Sequence, residues 1–253
     1  MSTCARSIVV AVVLGGVMTS VSIVGPTGRD VASAARVSAT KTFGRSVEGR
    51  SLKVVNVGAR SHETRVLVVG CIHGTERAGK AVIGRLRRMP SPDGYELWLI
   101  WAVNPDGCDA RTRQNARGVD LNRNFPAGWQ AAGAPWDTYY PGPSAASEPE
   151  TRAVMRLVKD IEPDVTIWYH QQMALVTKMR RHLRVQRLYA DLVGLPLERL
   201  EPLPGTATRW QNHRYPGHLS FVVELPGGAM KAAEVRRHAR AVRSVGRSWE
   251  RLR

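Results

Sequence analysis

The amino-acid sequence predicts an α/β fold, a three-layer sandwich with helices on both faces of one sheet. Three observations point there. Short runs rich in Val, Ile and Leu recur at 52–57, 65–69, 95–103, 164–169 and 219–225. Between them lie longer segments with helical spacing or capping signals, at 75–89, 147–161, 183–193 and 230–253. Strands alternating with helices build a sheet covered on both sides. Hydrophobic residues make up 43% of the 253 residues, which fills a sizeable core and excludes both a wholly disordered chain and a multi-pass membrane protein.

In chain order, the first segment reads as lying outside that fold. Arg6 precedes an apolar run over 7–24 broken only by small residues, and Ala32-Ser33-Ala34 offers a small-x-small cleavage site. Residues 1–34 therefore read as a secretory signal peptide, which implies a secreted or cell-envelope location and one domain over 40–253. The rival is an anchoring helix, weakened by Gly15, Gly16, Ser20 and Ser22. Contact with a membrane is expected only through an uncleaved signal segment. Two cysteines then remain, Cys71 and Cys108, each just past a predicted strand. If those strands are neighbours a bridge is geometrically open, and two separate buried thiols are the equal alternative.

Strands 52–57 and 65–69 are separated by the turn cluster Gly58-Ala59-Arg60-Ser61. The segment 75–89 carries Ala78, Ala81, Val82, Ile83 and Leu86 at helical spacing and stops before Pro90. Strand 95–103 holds Trp98 and Trp101 and ends in Asn104-Pro105-Asp106-Gly107. Residues 108–146 are rich in Gly, Pro and Trp and lack periodicity; so long an irregular segment is usually functional. Ser147-Glu148-Pro149-Glu150 reads as a capping box opening a helix to about Ile161. A buried strand at 164–169, a helix at 183–193, a strand at 219–225 and an Arg-rich amphipathic helix at 230–253 complete the chain.

The charge is uneven: 37 Lys+Arg against 21 Asp+Glu, a net +16, with only six Lys among the basic residues. Loss of 1–34 would remove Arg6, Arg29 and Asp30 and leave +15. Charge alone favours a solvated surface, and no recognised aromatic-and-basic motif accompanies it, so no specific nucleic-acid partner is expected.

Residues that can do chemistry sit at predicted strand ends. His73 is followed three positions later by Glu76. An H-x-x-E where a strand turns into a helix can aim both side chains at one metal. A surface His with a first-turn Glu is the even-odds alternative. A third ligand is needed, and His170, ending the buried strand at 164–169, is the best placed. The run Arg113-Gln114-Asn115-Ala116-Arg117-Gly118-Val119-Asp120-Leu121-Asn122-Arg123-Asn124-Phe125 is poor core material and good material for gripping a carboxylate; alone it would read as a solvated loop. Glu224 lies within the apolar strand Phe221-Val222-Val223-Glu224-Leu225, where a carboxylate must be paired or working.

From Phe43 to about Gly228 these motifs, in this order, resemble the zinc carboxypeptidases of the carboxypeptidase A type. Gly44-Arg45-Ser46-Val47-Glu48-Gly49-Arg50 and Ser147-Glu148-Pro149-Glu150-Thr151 join those already named. The wording is most similar to the bacterial murein peptide amidase branch. The resemblance implies a mixed, mostly parallel central sheet and one zinc per chain held by His73, Glu76 and His170. It implies Glu224 as general base and Arg113 as oxyanion stabiliser. Asp120 would orient His73, and Asn122 with Arg123 would hold the free C-terminal carboxylate of a peptide substrate, such as a cell-wall muropeptide. Three departures stand out. No Tyr occupies 200–205, about where the family carries a substrate-contacting one, and Tyr215 is the nearest substitute. The stretch after His170 reads Gln171-Gln172-Met173, to which the resemblance assigns no contacts. Arg209 and Trp210, with His213, would line the specificity pocket and suit a polar or acidic terminal residue. The competing expectations are a zinc deacylase of N-acyl amino acids and a secreted binding protein that keeps the metal pocket without turnover.

Overall fold

A computed structural model describes residues 38–58 and 63–253. The expected signal segment at 1–34 lies outside the described residues. Among those described, no helix is long and apolar enough to cross a membrane.

Eight strands form one sheet. They are β1 Ser38–Arg45, β2 Ser51–Val57, β3 Arg65–Val69, β4 Glu96–Ile100, β5 Val165–Gln171, β6 Leu175–Thr177, β7 Leu197–Glu198 and β8 Leu219–Leu225. Their order is β1-β2-β4-β3-β5-β8-β6-β7. The centre, β4-β3-β5-β8, is parallel throughout, while β1–β2, β2–β4 and β6–β8 are antiparallel. The sheet is thus mixed and mostly parallel at its core, as expected. Central strands buried on both faces explain the near-continuous apolar runs: all five residues of β4 are buried, and Val66-Leu67-Val68-Val69 alternate between two cores. On one face Val66 and Val68 pack with helices α1 Gly79–Arg88, α4 Leu183–Val193 and α6 Ala232–Leu252. On the other, Leu67 and Val69 pack with α3 Pro149–Ile161 and α5 Ala207–Arg214.

The structure corrects three local expectations. The helix expected from residue 75 starts at Gly79. Before it runs a non-helical turn closed by the Glu76 amide on the His73 carbonyl, 3.0 Å. Gly79 then packs against Tyr169, where a Cβ would lie 2.4 Å from the Tyr169 Cβ. The capping box does not form. Pro149 at the first helical position starts α3, Ser147 donates to Glu148 Oε1 (2.8 Å), and Glu150 accepts from the Val47 amide (2.9 Å) and Asn115 Nδ2 (3.3 Å). The Asn104-Pro105-Asp106-Gly107 turn continues into a short helix, α2 Pro105–Ala110, capped by Asn104 Oδ1 accepting from the Gly107 amide.

That helix brings Cys108 to Cys71, which follows β3. Both thiols are buried and free, with Sγ atoms 2.6 Å apart. The strands before them, β3 and β4, are neighbours, as the bridge reading requires, and the two sulfurs are in direct contact. Cys71 also donates to the His73 carbonyl at 3.1 Å.

Candidate active site

The chain leaves β3 at the point where the sheet order reverses, with β4 added on one side and β5 on the other. Open α/β sheets place their sites at such points. Here the C-terminal ends of β3, β5 and β8 lie side by side. His73 follows β3, His170 is the penultimate residue of β5, and Glu224 on β8 is in register with His170.

His73, Glu76 and His170 are all buried and present three ligand atoms within 4.8 Å of one another. His170 Nδ1 lies 2.8 Å from Glu76 Oε2 and His73 Nδ1 lies 2.9 Å from Glu76 Oε1. Despite that distance, His73 Nδ1 makes no hydrogen bond of acceptable angle. His73 Nδ1 thus faces Glu76 without pairing with it, while His170 Nδ1 pairs with Glu76 Oε2, and the three ligand atoms cluster as those of a common ion do. Two imidazole nitrogens and one carboxylate, leaving a position open, fit a catalytic zinc.

The outer nitrogen of His73, Nε2, meets Asp120 Oδ1 at 2.9 Å. Asp120 is fully buried and caps the 3-10 turn Leu121–Arg123, accepting from the Asn122 amide at 2.9 Å. Burial alone would raise its pKa, but the charge and hydrogen bond of His73, followed by Arg113, hold it well below the usual carboxylate range. Glu76 behaves alike: burial would raise its pKa, and the hydrogen bond of His170 with the close contact of His73 holds it well below the usual range. Conversely, burial would lower the pKa of His73, and Asp120 and Glu76 together raise it. The pocket is built to hold positive charge.

Glu224 has the opposite character. It is half-buried, and its Oε2 is enclosed without a hydrogen-bond partner. Burial raises its pKa, His170 opposes the rise, and the negative Glu76 adds to it. A carboxylate whose proton affinity is raised and whose oxygen is uncommitted suits proton transfer.

A model of the zinc carboxypeptidase family matches residues 30–184. The chain belongs to the zinc carboxypeptidase family. This zinc carboxypeptidase is 32% identical to murein peptide amidase A of Escherichia coli strain K12 over 169 residues, 62% of this chain and 69% of that protein. It is 29% identical to murein peptide amidase A of Vibrio campbellii over 199 residues, 73% and 78% of the two chains. The crystal structure of the murein-tripeptide amidase from Escherichia coli O157 superposes with a TM-score of 0.69 at 28% identity, covering 81% of this chain and 92% of that one. Carboxypeptidase A from Helicoverpa armigera shares the fold, with a TM-score of 0.71 at 17% identity, covering 84% and 68%. The protein is a metallopeptidase, a hydrolase, and its family implies zinc.

The remaining expected residues of this carboxypeptidase divide into those the fold brings to the site and those it does not. Arg113 is among the first. Its Nε and Nη2 donate to Asp120 Oδ2 at 3.1 and 2.9 Å, and Nη1 donates to Glu76 Oε1 at 2.8 Å. Arg123 is buried, donates Nη1 to the Asn122 carbonyl at 2.8 Å, and has no carboxylate within ion-pair distance among the described residues. Asn122 commits its Oδ1 to the Ala207 amide at 3.0 Å, tying the 3-10 turn to α5. Arg209 and Trp210 depart from expectation. Trp210 is buried in the core, its ring 5.5 Å from that of Phe125, because α5 turns that face toward the sheet. Arg209 is exposed and folds over Gly128, where a Cβ would lie 2.8 Å from its Cζ. Tyr215 packs edge-on to Trp210 and stacks on His218, so it does not take the place of the missing Tyr.

Gln171 gains a role that sequence reasoning left blank. Its amide faces Glu76 Oε2 at 3.3 Å, its Oε1 accepts from the Ala78 amide, and its Nε2 donates to the carbonyls of Pro226 and Gly228. One side chain thus clamps the ends of β5 and β8 to the segment entering α1. Gly74 is equally tight: a Cβ there would lie 1.9 Å from the Gly107 carbonyl oxygen and 2.5 Å from that of Thr112. Gly74→Ala must displace either α2 or the His73–Glu76 turn. We expect a loss of about 1–3 kcal/mol in stability, read by denaturant unfolding, together with weaker zinc binding by calorimetry. An unchanged midpoint and affinity would contradict the packing.

Proposed function

We propose that the protein is an exported zinc carboxypeptidase or amidase that removes the terminal residue from peptides with a free C-terminal carboxylate, cell-wall muropeptides foremost. The observation that carries the reading is Arg123: a buried guanidinium without a carboxylate partner among the described residues, on the segment that also supplies Asp120 to His73. A buried cation left uncompensated is costly, and a substrate carboxylate relieves it. Export is supported by the signal-like segment 1–34, and the muropeptide class by the murein amidase relatives.

His73, Glu76 and His170 would hold one zinc ion, which when bound supplies a Lewis acid that polarises the scissile carbonyl and lowers the pKa of water to about 7. Asp120 accepts from Nε2 of His73, which keeps Nδ1 unprotonated and facing the donor set. Glu224 takes the proton of the attacking water and delivers it to the leaving amine nitrogen. Arg113, reaching Glu76 through Nη1, offers positive charge where the oxyanion develops. Asn122 and Arg123 receive the terminal carboxylate, which restricts cleavage to the end of a chain.

A panel of muropeptides and ordinary peptides, read by mass spectrometry, tests the substrate class: release of a single terminal residue from muropeptides is expected, and cleavage restricted to N-acyl amino acids would replace the reading with a deacylase. Arg123→Ala should raise KM for free-carboxylate peptides by about 30-fold or more, as loss of a charged partner predicts. An equal loss on C-terminally amidated peptides would count against the clamp.

A further inference from the structure

Tyr139 lies in the irregular segment between the 3-10 turn and α3, and it is 59% exposed. An exposed tyrosine on a loop needs no explanation by itself. This one has two arginine partners, both from the proposed site. Arg123 Cζ lies 4.9 Å from the ring centroid and Arg113 Cζ lies 5.3 Å from it, within reach of the attraction between a cation and an aromatic face.

The two arginines are otherwise held very differently. Arg113 is fixed by Asp120, by Glu76 and, through Nε, by the carbonyl of Thr138 at 3.2 Å. The Arg123 guanidinium has one hydrogen bond among the described residues, to the backbone carbonyl of its own neighbour Asn122. Burial and the like charge of Arg113 both work against its positive charge, which Asp120, Tyr139 and Glu76 favour. The ring of Tyr139 is thus a side-chain contact on the Arg123 head group beyond that one hydrogen bond.

Tyr139 and Arg123 also line one cavity, of about 330 Å³, together with Leu203 and Pro204. That size suits one small ligand group. Leu203 and Pro204 belong to 200–205, the stretch in which this chain has no Tyr. The aromatic group at this pocket comes instead from the segment before α3.

We propose that Tyr139 is a positioning residue for recognition of the substrate's terminal carboxylate: its ring holds Arg123, beside Arg113, in the receiving orientation and walls the pocket shared with Leu203 and Pro204. The inference rests on the carboxypeptidase reading above and adds to it the residue that keeps the clamp in register.

The test compares Tyr139→Leu, which removes the ring, with Tyr139→Phe, which keeps its face. Because Tyr139 is exposed, both variants should fold and melt like the wild type. Tyr139→Leu should raise KM for free-carboxylate peptides about three- to thirty-fold with kcat nearly unchanged, and should narrow the preference over amidated peptides. Tyr139→Phe should stay within about two-fold of wild type on both. Calorimetric titration with an N-acyl amino acid should show the same order of affinities without any turnover. If the wild type cleaves free-carboxylate peptides and Tyr139→Leu matches its KM, this inference falls and the carboxypeptidase reading stands. If Tyr139→Phe loses as much as Tyr139→Leu, the ring face is not the agent and the inference also falls. If the wild type cleaves no such peptide, the carboxypeptidase reading fails, and the titration still decides: weaker binding by Tyr139→Leu alone upholds the role of the ring, while equal or undetectable binding overturns it.

Discussion

Glu224→Gln is expected to lower kcat by about 10²- to 10⁴-fold, the range typical of a lost general base, while leaving the zinc content at one per chain. Glutamine keeps the shape and the half-buried position on β8 but cannot take a proton. The pH profile supplies a second readout. Burial, with Glu76 nearby, raises the pKa of Glu224 in the folded enzyme, against the opposing effect of His170. Its basic form therefore prevails only above that raised pKa. Activity should fall as pH drops through it, with the acid limb displaced above the range of an ordinary glutamate, and the residual activity of the Gln variant should lack that limb. Full activity in Glu224→Gln would exclude Glu224 as the base whatever the shape of the profile.

Removing the metal should have an effect as large. Chelation is expected to abolish hydrolysis, and one equivalent of zinc to restore it. An ion that binds only the native state stabilises it by about 2.7 kcal/mol at a free concentration one hundred times its Kd, so the melting temperature should rise on zinc addition. Asp120→Ala should weaken zinc about 10- to 100-fold, the usual result of losing the carboxylate behind a ligating histidine. Activity that survives thorough chelation, or an Asp120→Ala affinity equal to wild type, would contradict the proposed centre.

Much of this site was legible from residue type and position. His73, Glu76, His170 and Glu224 were candidates because they lie in, or shortly after, apolar strands; a lone His-x-x-Glu left a surface reading equally open, and it was their combination, with the family resemblance, that joined them. The helices α4 and α6 and the strand β8 were legible because their periodicity is strong. Weak signals hid the rest. β1 is a polar edge strand, Ser38–Arg45, with a bulge between Thr42 and Gly44. β6 and β7 span three and two residues, too short for any pattern. The helix expected to begin at residue 75 begins at Gly79, after a turn closed by the Glu76 amide on the His73 carbonyl, which helical spacing does not reveal. Trp210 read as a pocket residue because sequence cannot tell which face of a short, weakly amphipathic helix meets the sheet. Tyr139 escaped notice because an aperiodic loop carries no sign of which of its aromatics faces the site, and the two arginines that pick it out are 16 and 26 positions away.

The convergence of β3, β5 and β8 also determines when the metal can be acquired. His73 and His170 are 97 positions apart in the sequence. In an unfolded chain, bringing them together would cost about 4 kcal/mol in loop-closure entropy. His73 and Glu76 on their own make a weak bidentate pair. The chain would thus have little affinity for zinc until the parallel core of the sheet has formed, and would gain its metal and its reactivity in the same step that completes the sheet.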